Sequence, residues 1–421
     1  MSVIGQESKE KITELFARYV SSGKVEFFRN AGIDFVLGRR EGIHMYDLDG
    51  NRYINCNCNG GVFNLGHRHP EIVATLREAL DELDIGTHHT VSEHRALLAE
   101  QLAAISPGNI NRVIFGVSGG EAIDTAIKLA RGHTGRPGVV SAEGAYHGHT
   151  GFALPAGHEQ YSKPFEPLVP GYTHVPFGDL DALDKVVDAS TACVLFETIP
   201  ATLGIVLPPD DFFTGVREIC DERGALMICD EVQTALGRCG AYWGIDTYGV
   251  VPDIMVSGKG LSGGMYPMSA VLYSDRLNQF LHDNPFIHIS TFGGPELGCR
   301  VTMKVLEILQ RPGFLEHIGA MTVVFEKGFA ELKSKHPDLL VETRQRGLFM
   351  GLKMKNEMCG PLMTLAGMRN GVFTVYANND NSVSQIIPAL IIQEDEAREV
   401  LERLDAMLTW VEQTLVEMEA G

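Results

Sequence analysis

A carboxylate and a lysine in the middle of this 421-residue chain have the residue types and surroundings that Schiff-base chemistry requires. Asp230 follows an apolar run at residues 226–229, and Lys259 lies in a glycine-rich turn at residues 257–261. A lysine amine must lose its proton to attack an aldehyde, and removal from water favours the neutral form. A carboxylate beside a pyridine nitrogen keeps that nitrogen protonated, so the ring withdraws electrons from an adjacent carbanion. The pair indicates catalysis on a pyridine cofactor, although either residue alone is more often a helix cap or a solvated lysine.

The composition indicates a well-cored soluble globular protein and argues against a membrane-spanning or nucleic-acid-binding one. A chain of this length is expected to form a large and a small lobe. No run approaches the 18 or so apolar residues that a membrane helix needs, and the first ten residues lack an apolar signal region, so we expect a cytoplasmic location. The net charge of −19 argues against nucleic acid or an anionic membrane as a partner.

The eight cysteines are expected to be reduced thiols rather than metal ligands, because no pair shows the C-x-x-C spacing of a zinc or redox site. Several, such as Cys193 and Cys229, lie in apolar runs, where a free cysteine behaves as a small hydrophobic residue. Cys56 and Cys58 form a C-x-C in a polar, glycine-flanked segment and are therefore kept as candidates for a role in the site.

From residue 112 onward, short apolar runs alternate with helical patterns, which predicts an α/β domain with a largely parallel sheet. Strands are predicted at residues 113–115, 138–140, 192–196 and 225–229, and helices at 121–131 and 213–223. The ligand of such a domain is expected at the carboxyl ends of the strands.

The two ends of the chain predict a smaller lobe and its connections. Before the α/β part, helices are predicted at residues 8–21, from Pro70 to about 80 and at 92–104, with a hairpin at 42–54. After it, helices are predicted at 298–309, 321–335 and 395–417, and strands at 348–352 and 371–375.

Three further motifs suit a phosphorylated planar cofactor. Ser118, Gly119 and Gly120 stand where a strand passes into a helix, and there backbone amides and a hydroxyl converge on an anion. Tyr146 and His147 offer an aromatic face for stacking. Thr291 precedes a tight glycine turn and offers a hydroxyl to a phosphate.

In this order, the five motifs resemble the class III (ω-) aminotransferases, pyridoxal-phosphate enzymes of fold type I. The resemblance implies a large domain with a mostly parallel seven-stranded sheet flanked by helices, and a smaller α+β domain formed by both termini. The expected boundaries are residues 1–60 and 298–421 for the small domain and 61–297 for the large one.

The resemblance also implies a role for each matching residue. Lys259 would form the Schiff base and Asp230 would pair with the pyridine nitrogen. Thr291 would reach the phosphate of a partner subunit, which implies a homodimer with shared active sites. The residues implied to contact pyridoxal 5'-phosphate are Ser118, Gly119, Gly120, Tyr146, His147, Glu197, Asp230, Val232, Gln233, Lys259 and Thr291.

Four departures from the family pattern bear on the substrate. Gly120 replaces a hydroxyl residue of the phosphate cradle, and Thr202 replaces an acidic residue. His149 and Gln385 stand where many members have arginine, and neither can supply the planar fork that binds a carboxylate in two places. We therefore expect a substrate that is not held by its carboxylate, such as an amino sugar or aminoglycoside of antibiotic biosynthesis. The substrate candidates are Cys56, Cys58, His88, His149 and Gln385.

Two other outcomes share the same early chemistry. A racemase, epimerase or aminomutase would use the Lys259 carbanion with a second acid or base, for which Cys56, Cys58, His88 and His89 are candidates. A protein that binds the cofactor without turnover is a third possibility, which the intact Asp230 and Lys259 pair disfavours.

Overall fold

The structure is a computed structural model, and it describes residues 8–420. Its helices are α1 (Lys9–Tyr19), α2 (Ser22–Asn30), α3 (Cys58–Gly61), α4 (Pro70–Leu80), α5 (Glu93–Ala104), α6 (Gly119–Thr134), α7 (Glu159–Ser162), α8 (Leu180–Val186), α9 (Phe212–Arg223), α10 (Asn278–Asp283), α11 (Glu296–Leu309), α12 (Phe314–Lys335), α13 (Cys359–Asn370) and α14 (Glu394–Ala420). Its strands are β1 (Leu37–Glu41), β2 (His44–Asp47), β3 (Arg52–Asn55), β4 (Ile110–Gly116), β5 (Gly138–Ala142), β6 (Tyr172–Val175), β7 (Thr191–Glu197), β8 (Leu226–Asp230), β9 (Ile254–Ser257), β10 (Ser269–Ser274), β11 (Leu340–Arg346), β12 (Phe349–Met354), β13 (Val372–Phe373), β14 (Val375–Ala377) and β15 (Asp380–Ile386).

A seven-stranded sheet in the order β4-β10-β9-β8-β7-β5-β6 forms the centre of the larger lobe. β5 to β9 pair in parallel, and β10 is antiparallel to both of its neighbours. Every residue of β7, β8 and β9 is buried, which explains why these strands read as continuous apolar runs. Because the parallel strands end on one edge, the polar residues that follow them are gathered there.

Two four-stranded sheets lie outside this lobe, and one joins the two ends of the chain. In the sheet β1-β2-β3-β13, the C-terminal strand β13 pairs in parallel with β3, so that Val372 lies opposite Ile54. The other sheet, β11-β12-β15-β14, is built from the C-terminal part alone. This architecture confirms the predicted α/β fold of type I; the domain boundaries at residues 60 and 297 stay predictions.

The side chain of Arg238 forms hydrogen bonds that join the C-terminal part of the chain to the larger lobe. Its guanidinium is fully buried and donates to Leu348 O (2.9 Å), Pro388 O (2.7 Å) and Asn64 Oδ1 (2.7 Å). A Cβ added at Gly260 would meet the Asn64 amide at 2.6 Å, so Asn64 is packed against the residue that follows Lys259. Arg238 thus bonds to both lobes, and its partner Asn64 lies beside the residue that follows the predicted catalytic lysine.

Most predicted elements are present, with boundaries shifted by a few residues. The predicted strand at residues 371–375 was wrong as one element, because β13 and β14 join different sheets. The segments β6, β9, β10, β11 and β15 were not predicted as strands. Within residues 8–420, no helix is long and apolar enough to cross a membrane.

Candidate active site

Lys259 lies directly after β9, at the edge where the parallel strands end. Its φ of +41° is unusual for a residue with a side chain, and such strained backbone is concentrated at functional sites. Burial lowers the pKa of its amine, while the negative charges of Asp230 and Glu197 partly oppose this shift. The environment therefore favours the neutral amine that a nucleophile requires.

Asp230 ends β8 and is held by two donors. Its Oδ1 accepts a hydrogen bond from Val232 N (3.0 Å), and its Oδ2 lies 2.8 Å from His147 Nδ1. His147 Nε2 is buried with no partner among the described residues. Asp230 therefore does not cap a helix; it is a buried carboxylate fixed in one orientation by its neighbours.

Glu197 ends β7 directly opposite Asp230 in the sheet register. It accepts from Tyr146 N (3.0 Å) and Ala201 N (3.4 Å). Burial raises the pKa of Glu197 to about 7, with Asp230 raising it further and His147 opposing. Two buried carboxyl groups thus end neighbouring strands, and the raised pKa of Glu197 lies near neutral pH.

The Ser118–Gly120 segment forms a concave start to α6. Ser118 Oγ accepts from Glu121 N at 3.3 Å, which caps the helix. A Cβ added at Gly119 would lie 3.2 Å from Val232, and one at Gly120 would lie 3.1 Å from Thr150 Oγ1. The two glycines therefore let Val232 and Thr150 approach the backbone closely, beside a helix N-terminus suited to an anion.

These residues surround one cavity of about 380 Å³. Its lining residues are Ser118, Gly119, Gly120, Tyr146, His147, Gly148, His149, Thr150, Glu197, Ile199, Asp230, Val232, Gln233, Thr234 and Lys259. The cavity combines an anion cradle, an aromatic face, a buried carboxylate and a lysine amine of lowered pKa. A phosphorylated pyridine aldehyde requires these features together.

Comparisons with known proteins agree with this geometry. The sequence profile of the family described as Aminotransferase class-III matches residues 29–408. The chain belongs to the class III aminotransferases. It is therefore a pyridoxal-phosphate-dependent enzyme, and the predicted family, activity and cofactor are confirmed.

Relatives of this aminotransferase match over nearly the whole chain. An uncharacterized aminotransferase of Archaeoglobus fulgidus is 58% identical over 404 residues, covering 96% of this chain and 95% of the relative. A putrescine aminotransferase of Pectobacterium atrosepticum is 33% identical, and the match covers 97% of this chain and 91% of the relative. One similar solved structure is that of taurine:2-oxoglutarate aminotransferase from Bifidobacterium kashiwanohense, in complex with PLP and glutamate. It superposes with a TM-score of 0.90 at 27% identity, and the match covers 97% of this chain and 99% of that one.

The aminotransferase brings ten of the eleven predicted cofactor residues to the cavity; Thr291 is the exception. Thr291 lies on an exposed segment after α10. Sequence reasoning missed Thr150, whose hydroxyl lies against Gly120 and can supply the cradle oxygen that glycine lacks. Thr150 directly follows the predicted Tyr146–His149 motif, and this adjacency is the feature of the sequence that could have identified it.

Of the predicted substrate residues, only His149 lines the cavity. Its ring lies 5.2 Å from that of Tyr146 in an edge-on arrangement. Gln385 is buried and donates to Ala201 O at 2.8 Å, so its amide is committed to the backbone. His88 does not line the cavity, and its ring lies 3.9 Å from that of His89.

The two cysteines proposed as acid or base are not on the cavity wall. Cys56 and Cys58 are both buried, and the Cys58 thiol points to Asn55 O at 3.5 Å. Burial raises the pKa of Cys58 to about 12 and that of Cys56 further. Neither thiol is exposed to exchange protons with a substrate, which argues against their role in an isomerase.

Two observations bear on metals and on the fit of the cofactor. No group of three or more metal-ligating side chains occurs in the part of the chain that the structure describes. The buried Asp230 carboxylate and the glycine cradle, by contrast, fit a pyridine nitrogen and a phosphate.

Proposed function

We propose that this aminotransferase takes the amino group of a primary amine that it does not hold by a carboxylate, and passes it to a carbonyl acceptor. The observation that carries the proposal is that Lys259, Asp230 and the glycine cradle surround one cavity, and that its lining among residues 8–420 includes no arginine. A carboxylate at the reacting end would have no guanidinium to pair with there.

Each group of residues around the cavity would have a separate role. Ser118, Gly119 and Gly120, with the Thr150 hydroxyl, would hold the phosphate, and Asp230 would pair with the pyridine nitrogen. Bound pyridoxal phosphate withdraws electrons from the substrate carbon that bears nitrogen. Lys259 would remove the proton from that carbon and deliver it, on the same side of the ring, to the former aldehyde carbon of the cofactor, which then keeps the amino group.

His147 and Glu197 support this arrangement. The bond from His147 to Asp230 orients the carboxylate, and Glu197 holds the Tyr146 backbone so that its ring can cover the cofactor. Val232 packs against Gly119 and would cover the opposite face, with Gln233 beside the phenolic oxygen.

For the donor we propose a polyhydroxylated or polycationic amine, with an amino sugar or aminoglycoside as one class and a diamine as another. His149 and Gln385 replace the expected arginines, and Gln385 is bonded to Ala201 O. The putrescine aminotransferase relative is named for an amine that has no carboxylate. The net charge of −19 favours the approach of a cation.

We also propose a homodimer with shared active sites. Thr291 lies among apolar side chains exposed on the surface, including Phe286 (69%), Ile287 (56%) and Phe292 (58%). An apolar surface of this kind suits burial against a second copy. The hydroxyl of Thr291 would then reach the phosphate bound by the partner.

The test is a set of half-reactions with the purified, pyridoxal-phosphate-loaded enzyme in deuterated water. We expect amino sugars or diamines to remove the cofactor's aldehyde-state absorbance and to yield a carbonyl product. A preference for simple α-amino acids would contradict the proposed donor. Deuterium gain without loss of the amine would show an isomerase, and no spectral response to any amine would show a non-catalytic protein.

A further inference from the structure

Asn379 lies in the turn between β14 and β15, at the tip of a hairpin of the C-terminal sheet. Its Nδ2 donates to Gly144 O (2.5 Å), and its backbone N–H donates to Thr202 O (2.9 Å). Its Oδ1 accepts from Gln160 Nε2 (2.5 Å) and from the Tyr161 hydroxyl (3.3 Å). One residue of the C-terminal part is therefore bonded to three separate segments of the larger lobe.

Two of these segments lead to the wall of the catalytic cavity. Gly144 shortly precedes Tyr146 in the loop that follows β5, and Thr202 lies in the loop that follows Glu197 at the end of β7. Tyr146 and Glu197 both line the cavity, and the Tyr146 N–H donates to Glu197. Asn379 therefore joins the same two loops a second time, from outside the cavity.

The third segment, α7, places the Tyr161 ring against two rings of the cavity wall. The Tyr161 ring lies edge-on to that of Tyr146 at 5.8 Å, and it lies 5.1 Å from that of His149. The rings of Tyr146 and His149 are themselves 5.2 Å apart. Aromatic rings at such distances attract one another. We call these three residues the aromatic cluster; Tyr146 and His149 line the cavity, and Tyr161 supports them from behind.

The hydrogen bonds of Asn379 fix the orientation of its amide. If the amide turned over, its NH2 group would face the NH2 group of Gln160, and its oxygen would face Gly144 O. Burial raises the pKa of Tyr161, so its hydroxyl keeps the proton that it donates to Asn379. The C-terminal hairpin thus holds both the loop before Tyr146 and the ring behind it.

We propose that Asn379 is a positioning residue for the amine donor, because it holds the aromatic cluster in the arrangement against which the donor binds. The inference rests on the proposed function, since the donor is a substrate of that reaction. Rings that are already held in place need not be ordered by the substrate, which strengthens binding. Loss of Asn379 should therefore weaken binding of the donor more than it slows the step that follows.

The experiment compares Asn379→Ala with Ser382→Ala in the full-length, pyridoxal-phosphate-loaded enzyme. Ser382 lies in the same hairpin and its hydroxyl donates to Asp380 Oδ1 (2.5 Å), so the control removes a hydrogen bond that does not reach the larger lobe. Stopped-flow half-reactions with putrescine and with glucosamine separate the apparent Kd of the amine from the limiting rate. We expect Asn379→Ala to raise this Kd about tenfold, the equivalent of about one net hydrogen bond, and to change the limiting rate less than about twofold. Ser382→Ala should leave both within about twofold.

Tyr161→Phe tests whether the effect passes through the aromatic cluster. It keeps the ring and removes the hydroxyl that bonds to Asn379, and we expect it to raise the Kd of the amine about threefold. The double variant Tyr161→Phe/Asn379→Ala should match Asn379→Ala alone, because both substitutions remove the same bond. Effects that multiply in the double variant would overturn the proposed route from Asn379 through Tyr161.

Amide exchange of the apoenzyme, followed by mass spectrometry, gives a readout that needs no donor. The peptide that contains Tyr146 should exchange faster in Asn379→Ala, because Gly144 O loses its donor, and at the wild-type rate in Ser382→Ala. An unchanged Kd or unchanged exchange in Asn379→Ala would overturn the inference, even if its urea midpoint falls. Failure of the wild-type enzyme to react with either amine would instead contradict the proposed donor, and the exchange result would then decide the inference alone.

Discussion

Glu231, the neighbour of Asp230, offers the most direct test of how the chain fixes its catalytic carboxylate. Glu231 is fully buried, and burial raises its pKa. Its carboxylate accepts four hydrogen bonds, from Thr198 Oγ1 (2.6 Å), Ile245 N (2.7 Å), Thr234 Oγ1 (2.7 Å) and Gly244 N (2.8 Å). These bonds connect the ends of β7 and β8 to the loop around Gly244.

The Glu231→Gln substitution keeps the size of the side chain and removes half of its acceptors. Each carboxylate oxygen serves one hydroxyl and one backbone amide. A hydroxyl can rotate to accept from the new amide group, but a backbone N–H cannot. At least one buried N–H then loses a charged acceptor, at about 1.5–3 kcal/mol, and stays unsatisfied at about 1–3 kcal/mol. We expect the free energy of unfolding to fall by about 3–5 kcal/mol.

Urea denaturation followed by tryptophan fluorescence would measure this loss, because the buried Trp243 precedes Gly244 in the same loop. The matched control is Thr234→Val, which removes one hydroxyl donor and should cost about 1 kcal/mol. The reasoning is refuted if Glu231→Gln costs no more than this control. If Glu231→Gln also retains the full kcat, the hydrogen bonds of Glu231 stabilise the loop but are not required to position Asp230.

Three further outcomes are expected. Lys259→Ala should abolish transamination and covalent attachment of the cofactor, which borohydride reduction followed by mass spectrometry would detect; a retained adduct would contradict the assignment. Gly120→Ala should weaken cofactor binding about tenfold, because its Cβ would lie 3.1 Å from Thr150 Oγ1, and titration of the apoenzyme by fluorescence would show it. Because the pKa of Glu197 is raised to about 7 in the folded state, its contribution to stability is full below its unfolded pKa and is lost as the pH rises through 7. The apoenzyme should therefore lose stability relative to Glu197→Gln between pH 4.5 and 7, and parallel pH profiles in urea denaturation would contradict that pKa.

The large lobe and the cofactor residues could be predicted because each carries a local signal. Buried parallel strands produce apolar runs, and the residues that follow them, such as Asp230 and Lys259, meet at one edge of the sheet by topology alone. The strands β9 and β10 were missed because short apolar runs beside glycine-rich turns have no distinctive period.

The residues around the substrate were harder to predict from the sequence. Cys56 and Cys58 lie in a polar segment, yet the left-handed turn of α3 accompanies buried thiols, which the residue types do not indicate. Thr150 lies 30 positions after Gly120 in the sequence, and only the fold brings its hydroxyl to the place where position 120 lacks one.

The burial of Arg238 restricts how this enzyme can open. A hinge between the lobes at this junction would pull the Arg238 guanidinium away from Leu348 O and Pro388 O at once. Leaving a buried charge without partners costs about 3–5 kcal/mol, which is more than weak substrate binding returns. Admission of substrate should therefore not require this junction to open, and amide exchange should be slow at Leu348, whose N–H donates to Arg238 O.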